Sequence, residues 1–186
     1  MSRFTITFTS LTLALLLGTA WGADSPLRSG LQPGEKIETV FEPLNVNGEH
    51  AGELHCLVCE NGLNPVAMVF ARQVSPSLVR LIAKLDAAAA KNRQPEMGCF
   101  VVFLGEQEKL EVQLKGVAKE QKLKHVILSI DAPAGPEGFN VAQDADVTVV
   151  LYREHAVHAN HAFKAGGLTD KATDAVLADL PKILKK

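Results

Sequence analysis

From Val66 onward the chain alternates between short apolar runs and stretches with helical spacing. Val66 to Ala71 is apolar without a break, which predicts a strand buried on both faces. Ser75-Pro76 follows, an N-cap residue with proline at the first helical position. Leu78, Leu81, Ile82, Leu85 and Ala89 then recur on one side of a helix, which Gln94-Pro95 ends. Cys99 to Leu104 predicts a second buried strand, and residues 106–122 a second helix with Leu110, Leu114, Val117 and Gln121 on one side. Val126 to Ile130 is a third strand. Val147 to Tyr152 and Val157 to Phe163 are two more, joined by the turn Arg153-Glu154-His155-Ala156. A last helix starts at Thr169 or Asp170 and carries Ala172, Val176, Leu180 and Ile183 as its apolar stripe.

The order strand, helix, strand, helix, strand, hairpin, helix is that of an α/β layer fold. Its alternating part gives parallel strands and its late hairpin antiparallel ones, so the central sheet is mixed, with helices on both faces. Ahead of this regular part, residues 36–46 predict a short N-terminal hairpin. Residues 47–65 are rich in turn residues (Asn47, Gly48, Gly52, Asn61, Gly62, Asn64, Pro65). Residues 23–34 hold Ser25, Pro26, Ser29, Gly30, Pro33 and Gly34 and read as a flexible linker. The domain proper is expected over 35–186.

The first 22 residues read as an export signal. Arg3 is the only charge before Asp24, Phe4 to Leu17 is apolar with Thr and Ser, and Ala20-Trp21-Gly22 fits the small-x-small cleavage rule. The apolar run is short for a membrane span. The expected location is therefore periplasmic or secreted, with no membrane attachment after cleavage. Lys and Arg number 19 against 21 Asp and Glu, a formal net charge of −2, and no basic cluster exceeds Lys185-Lys186. Nucleic acid is not an expected partner.

Chemistry centres on Cys56-Leu57-Val58-Cys59, a C-x-x-C in a turn-rich stretch before the first core strand. In an exported protein the near pair is expected to oxidise and to leave Cys99 odd. Three readings fit: a redox-active pair, a small structural disulfide, or a soft-metal site for Cu or Zn. For the first, Cys56 would be the nucleophile, by the usual order of such pairs, and Cys59 the resolving thiol. Glu60-Asn61-Gly62-Leu63-Asn64-Pro65 reads as turn chemistry, so no helix start is expected to support the thiolate. His55 would help when protonated and Glu60 would oppose it. For the metal reading the candidate ligands are Cys56, Cys59, His55 and His161. His155, His158 and His161 do not themselves form a cluster. On a strand His155 and His161 share a side with Val157, Ala159 and Phe163, while His158 and Asn160 take the other. The plainer reading has His161 partly buried and His158 exposed, Cys99 as a small buried hydrophobe, and Ser75 as a helix cap.

Over residues 34–185 the element order resembles the thioredoxin-like superfamily, in its redoxin and peroxiredoxin-like branch. Asn64-Pro65-Val66-Ala67-Met68-Val69-Phe70-Ala71 is similar to the first core strand of that family. Gly138-Phe139-Asn140-Val141, followed by Ala145-Asp146-Val147-Thr148-Val149-Val150-Leu151-Tyr152, is similar to its approach to the penultimate strand. The resemblance implies thiol-disulfide exchange with a partner protein. In that family, however, the reactive cysteine follows the first core strand, where this chain reads Arg72-Gln73-Val74-Ser75-Pro76-Ser77-Leu78, and a cis-proline stands where this chain has Val147. Both departures argue against ordinary thioredoxin or peroxiredoxin catalysis, a peroxidase included. They leave two readings open: an oxidoreductase using the displaced pair, or a non-catalytic scaffold with a structural disulfide or metal site. The core strand spans about 20 Å, and Cys59 precedes it, so simple threading puts the pair at the opposite edge of the sheet from the family's usual site.

Overall fold

The computed structural model describes Met1, residues 27–94 and residues 96–185. Apart from Met1, the expected signal segment 1–22 lies outside the described residues.

The six-residue run Val66–Ala71 is strand β2, and all six residues are buried. Around it stand β1 (Leu44–Asn45), β3 (Gly98–Leu104), β4 (Val126–Asp131), β5 (Val147–Arg153) and β6 (Ala156–Phe163). The sheet order is β1-β4-β3-β2-β5-β6. β2, β3 and β4 run parallel, whereas β1, β5 and β6 are antiparallel to their neighbours. This is the mixed sheet expected from the order of elements. The parallel strands are linked by helices α2 (Pro76–Lys91) and α3 (Gln107–Glu120), as crossover connections require.

The pleat divides the apolar residues between two cores. Ala67, Val69, Ala71, Cys99, Val101, Phe103, Val126, Leu128, Val147 and Val149 point to one face. There they meet Leu78, Leu81, Ile82 and Leu85 of α2, Leu110 and Leu114 of α3, Val176 of α4 (Asp170–Asp179) and Ile183 of α5 (Pro181–Leu184). The Ser75 hydroxyl accepts the Leu78 N–H at 3.3 Å and the Thr169 hydroxyl accepts that of Ala172 at 3.2 Å, so both expected caps form. Asp86 ties α2 to β4, with Oδ1 accepting the N–H groups of Lys124, His125 and Val126 at 3.0, 2.8 and 2.9 Å. The last helix, expected as one, is two. Pro181 has no N–H to continue the ladder, and Leu180 both closes α4 and opens α5.

The other face is covered differently. Val66, Met68, Phe70, Phe100, Val102, Val150 and Tyr152 pack against Leu31, Ile37, Phe41, Phe139 and a five-residue helix, α1 (Leu57–Asn61), through Leu57 and Val58. Helices thus lie on both faces, but here α1 and extended chain do the covering. Phe41, Phe70 and Phe139 pack ring against ring at 4.9 to 6.1 Å between centroids, and each fully buried ring contributes about 2–3 kcal/mol.

Three expectations need correction. Residues 29–34 do not trail as a linker. The Ser29 hydroxyl lies 2.6 Å from that of Thr148 and accepts the Ala142 N–H at 2.9 Å. Asn160 Nδ2 donates to the carbonyls of Ser29 and Leu31, both at 2.8 Å, and the Gly34 N–H reaches the Val157 carbonyl. The polar composition that suggested a linker is spent on strand partners over 100 residues away in sequence. The short N-terminal hairpin lies later than 36–46: Leu44 bridges Leu54, and the Asn45 N–H donates to the Glu53 carbonyl at 3.0 Å. Finally, β6 does not alternate strictly. Leu151 faces Ala159 but Tyr152 faces Val157, so His158 is the extra residue of a bulge. Val157 therefore joins the second core while Ala159 stays in the first. His155 is in the turn, not the strand; it and Glu154 have φ near +59° and +53°, the two-residue hairpin turn that fits the twist of its strands.

Candidate functional site

Cys56 and Cys59 form a disulfide with Cα atoms 5.3 Å apart. The pair is part of α1, against the expectation that no helix begins there. Cys56 is the N-cap, in extended backbone (φ −79°, ψ 93°), and its Sγ accepts the Cys59 N–H at 3.1 Å. Gly62 closes the turn at φ 51°, where a side chain would be strained. Leu57 (2% exposed) and Val58 (1%) fasten the helix to the sheet, and the Asn61 Nδ2 donates back to the Leu57 carbonyl at 2.7 Å. The fit against β3 is close: a Cβ at Gly98 would overlap the Asn61 side chain. The two cysteines are not equivalent. Cys56 is 9% exposed and belongs to the second core, whereas Cys59 is exposed.

A polar cluster borders the pair. The His55 Nε2 is 2.9 Å from Glu60 Oε2, so the residue expected to oppose a thiolate is engaged by the one expected to support it. The His55 ring stacks on His50 at 3.7 Å between centroids, tilted 13°, and His50 Nδ1 is 3.3 Å from Glu53 Oε2. His50 escaped the sequence reading. It stands in a turn six positions before Cys56, and no periodicity marks it.

The remaining candidates go elsewhere. His161 is partly buried and its Nε2 lies 3.0 Å from Asp179 Oδ2 of α4. It is on the α2 face, while Cys56 is on the α1 face, so the proposed metal set Cys56, Cys59, His55 and His161 is not assembled. Among the described residues no group of three or more His, Cys, Asp or Glu side chains could hold a metal ion. His158 is exposed, as in the plainer reading. Cys99 is 3% exposed, and burial, with the nearby Asp86 charge, pushes its thiol far above the ordinary range. It is a packing residue.

The segment after β2, where the resemblance would place a reactive cysteine, carries none. Beyond Ala71, Arg72 donates from Nε to the Ala145 carbonyl at 3.1 Å, from NH1 to Pro133 at 2.8 Å and from NH2 to Ala142 at 3.0 Å. Val147 sits opposite Ala71 in the sheet. The guanidinium thus pins the 133–145 loop to the end of β2, and Ser75 is occupied as a cap. The disulfide lies on the other face. Its helix runs to the amino end of β2, where the Pro65 carbonyl accepts the Gly98 N–H and the Leu63 carbonyl that of Glu154.

No protein-family model matches the chain, and no curated protein does. Solved structures do. Peroxidoxin BcpB from Mycobacterium tuberculosis superposes with a TM-score of 0.59 at 15% identity over 82% of this chain and 98% of its own. A candidate protein disulfide isomerase from Bacteroides thetaiotaomicron gives 0.62 at 14%, over 86% and 96%. The exposed lipoprotein thioredoxin of Streptococcus pneumoniae gives 0.52 at 17%, over 77% and 99%. The chain has the thioredoxin-like fold that these proteins share, and its cysteine pair lies on the face of the sheet covered by α1.

Proposed function

We propose that this is an exported thioredoxin-like protein that exchanges disulfides with a thiol-bearing partner protein through Cys56 and Cys59. One observation carries the reading: the pair is a disulfide with one sulfur-bearing residue exposed and the other hydrogen-bonded by a backbone N–H. Exchange needs an accessible sulfur and a stabilised leaving thiolate, and the C-x-x-C turn supplies both. The three solved structures of similar fold named above are redox proteins by name, which supports the class of reaction. Export rests on the amino-terminal pattern of Arg3, the apolar run and Ala20-Trp21-Gly22.

The burial of Cys56 favours a second reading, a structural staple. A disulfide that closes so small a loop is worth about 2 kcal/mol by the chain-entropy argument, the low end of such effects. The reduction potential of the pair, measured on residues 23–186 in glutathione buffers, separates the two. A value between about −120 and −270 mV is expected for exchange. A value below about −300 mV would mark a staple and end the exchange reading.

A further inference from the structure

The usual order of a C-x-x-C pair makes its first cysteine the attacked and attacking sulfur. We propose that this protein reverses that order: Cys59 is the sulfur that partners meet, and Cys56 is the resolving thiol. The inference rests on the exchange reading and goes beyond it by assigning the two roles.

Access comes first. Thiol-disulfide exchange is an in-line displacement, so the attacking thiolate must approach the target sulfur from the side away from the S–S bond. Cys56 is 9% exposed and lies in an apolar core with Leu57, Val58 and Phe70. Cys59, one turn on, is exposed, and so is the neighbouring Glu60. A partner thiol reaches Cys59 from solvent and has no comparable route to Cys56.

The leaving group comes second. When Cys59 is attacked, the sulfur expelled is that of Cys56. That atom already accepts the Cys59 N–H at 3.1 Å, and such a bond strengthens when the acceptor gains a full negative charge. Attack on Cys56 would expel Cys59, for which no N–H donor stands in the corresponding place among the described contacts. Access and leaving-group stability thus favour the same sulfur.

The step balances as follows. A partner thiolate forms a bond to Cys59 Sγ, the Sγ–Sγ bond breaks, and its electron pair stays on Cys56 as a thiolate. A second thiol of the same partner, deprotonated, then attacks the partner sulfur in the mixed disulfide and releases the Cys59 thiolate. The partner dithiol has lost two electrons and two protons; the pair has gained the two electrons, and its two thiolates take up two protons from solvent. In the opposite direction Cys59 attacks a partner disulfide and Cys56 resolves the mixed species. The partner class is a protein carrying a vicinal dithiol or its disulfide.

The test uses the full-length exported chain, with Cys99 left in place because it is buried. Cys56→Ser and Cys59→Ser are each reacted with 2-hydroxyethyl disulfide, a small neutral probe, and mixed-disulfide formation is followed by intact mass. Cys56→Ser, which keeps Cys59, is expected to react at least about tenfold faster than Cys59→Ser. Because a serine in the core at position 56 could unfold α1, the same assignment is read in the reduced wild type. Limiting iodoacetamide followed by fragment-ion mapping is expected to place the first label on Cys59. Faster reaction of Cys59→Ser, equal rates, or first labelling at Cys56 would overturn the reversed order and leave exchange standing. If neither cysteine forms a mixed disulfide, the exchange reading falls and the assignment falls with it.

Discussion

Replacing Gly98 with alanine tests how tightly the pair's helix is seated. Gly98 opens β3 and pairs with Val66, and its φ is not in the positive range. In an unconstrained setting alanine there would stabilise by about 0.4–1 kcal/mol by narrowing the unfolded ensemble. Here the new methyl overlaps the Asn61 side chain. Asn61 must then swing away and give up its 2.7 Å bond to the Leu57 carbonyl. Loss of that bond costs about 1 kcal/mol, and forcing a methyl into a packed contact costs about 1–3 kcal/mol more. The net expectation is destabilisation by about 1–3.5 kcal/mol once the unfolded-state gain is subtracted. Asn61→Ala removes the obstacle, so in that background Gly98→Ala should be neutral or stabilising by the unfolded-state term alone. The reversal of sign is the signature, because neighbouring side chains couple and distant ones add. Urea unfolding of wild type, both single variants and the double variant, in oxidised protein, measures it. An equal effect of Gly98→Ala in both backgrounds would refute the packing argument, and with it the seat of α1 against β3.

Two further outcomes are expected. Arg72→Ala leaves three carbonyls of the 133–145 loop without their charged donor; the expected cost is about 2–4 kcal/mol in urea unfolding, with faster amide exchange over residues 133–146 and little change in the reduction potential of the pair on the other face. Asp179 is held below the ordinary carboxylate range first by Lys182, which donates to it at 2.8 Å, and also by His161, while burial opposes them. A carboxyl lowered in the native state stabilises above its unfolded value, and that contribution is lost as pH falls through the native one. Unfolding midpoints taken from pH 6 down to pH 3 should therefore fall more steeply below about pH 4 for wild type than for Asp179→Ala.

The sheet was legible in the sequence wherever burial on both faces left an unbroken apolar run, as in Val66–Ala71 and Gly98–Leu104. The caps at Ser75 and Thr169 were legible because local chemistry decides them. The site was only partly so. A helix of five residues is too short to show a period, and the turn residues Asn61, Gly62 and Asn64 dominated the reading, although Gly62 is itself the signal of a helix end. The strap from Ser29 to Ile37 was missed for a different reason. Its polar groups pair with Thr148, Asn160 and Val157, and no pattern within the strap reports a partner so far along the chain. The bulge at His158 likewise moved Val157 to the other core, because one extra residue inverts every face before it.

The three-residue spacing of the disulfide also bears on biosynthesis. Cys56 and Cys59 leave the ribosome before any strand of the sheet face that will cover Cys56, and their bond can form in a chain with no tertiary structure. Cys99 arrives later, a whole strand and helix further on. Closing that longer loop costs about 2 kcal/mol more entropy than closing the short one. Once β3 pairs between β2 and β4, Cys99 is shut away. Chain order and proximity thus favour the Cys56–Cys59 pairing ahead of the fold.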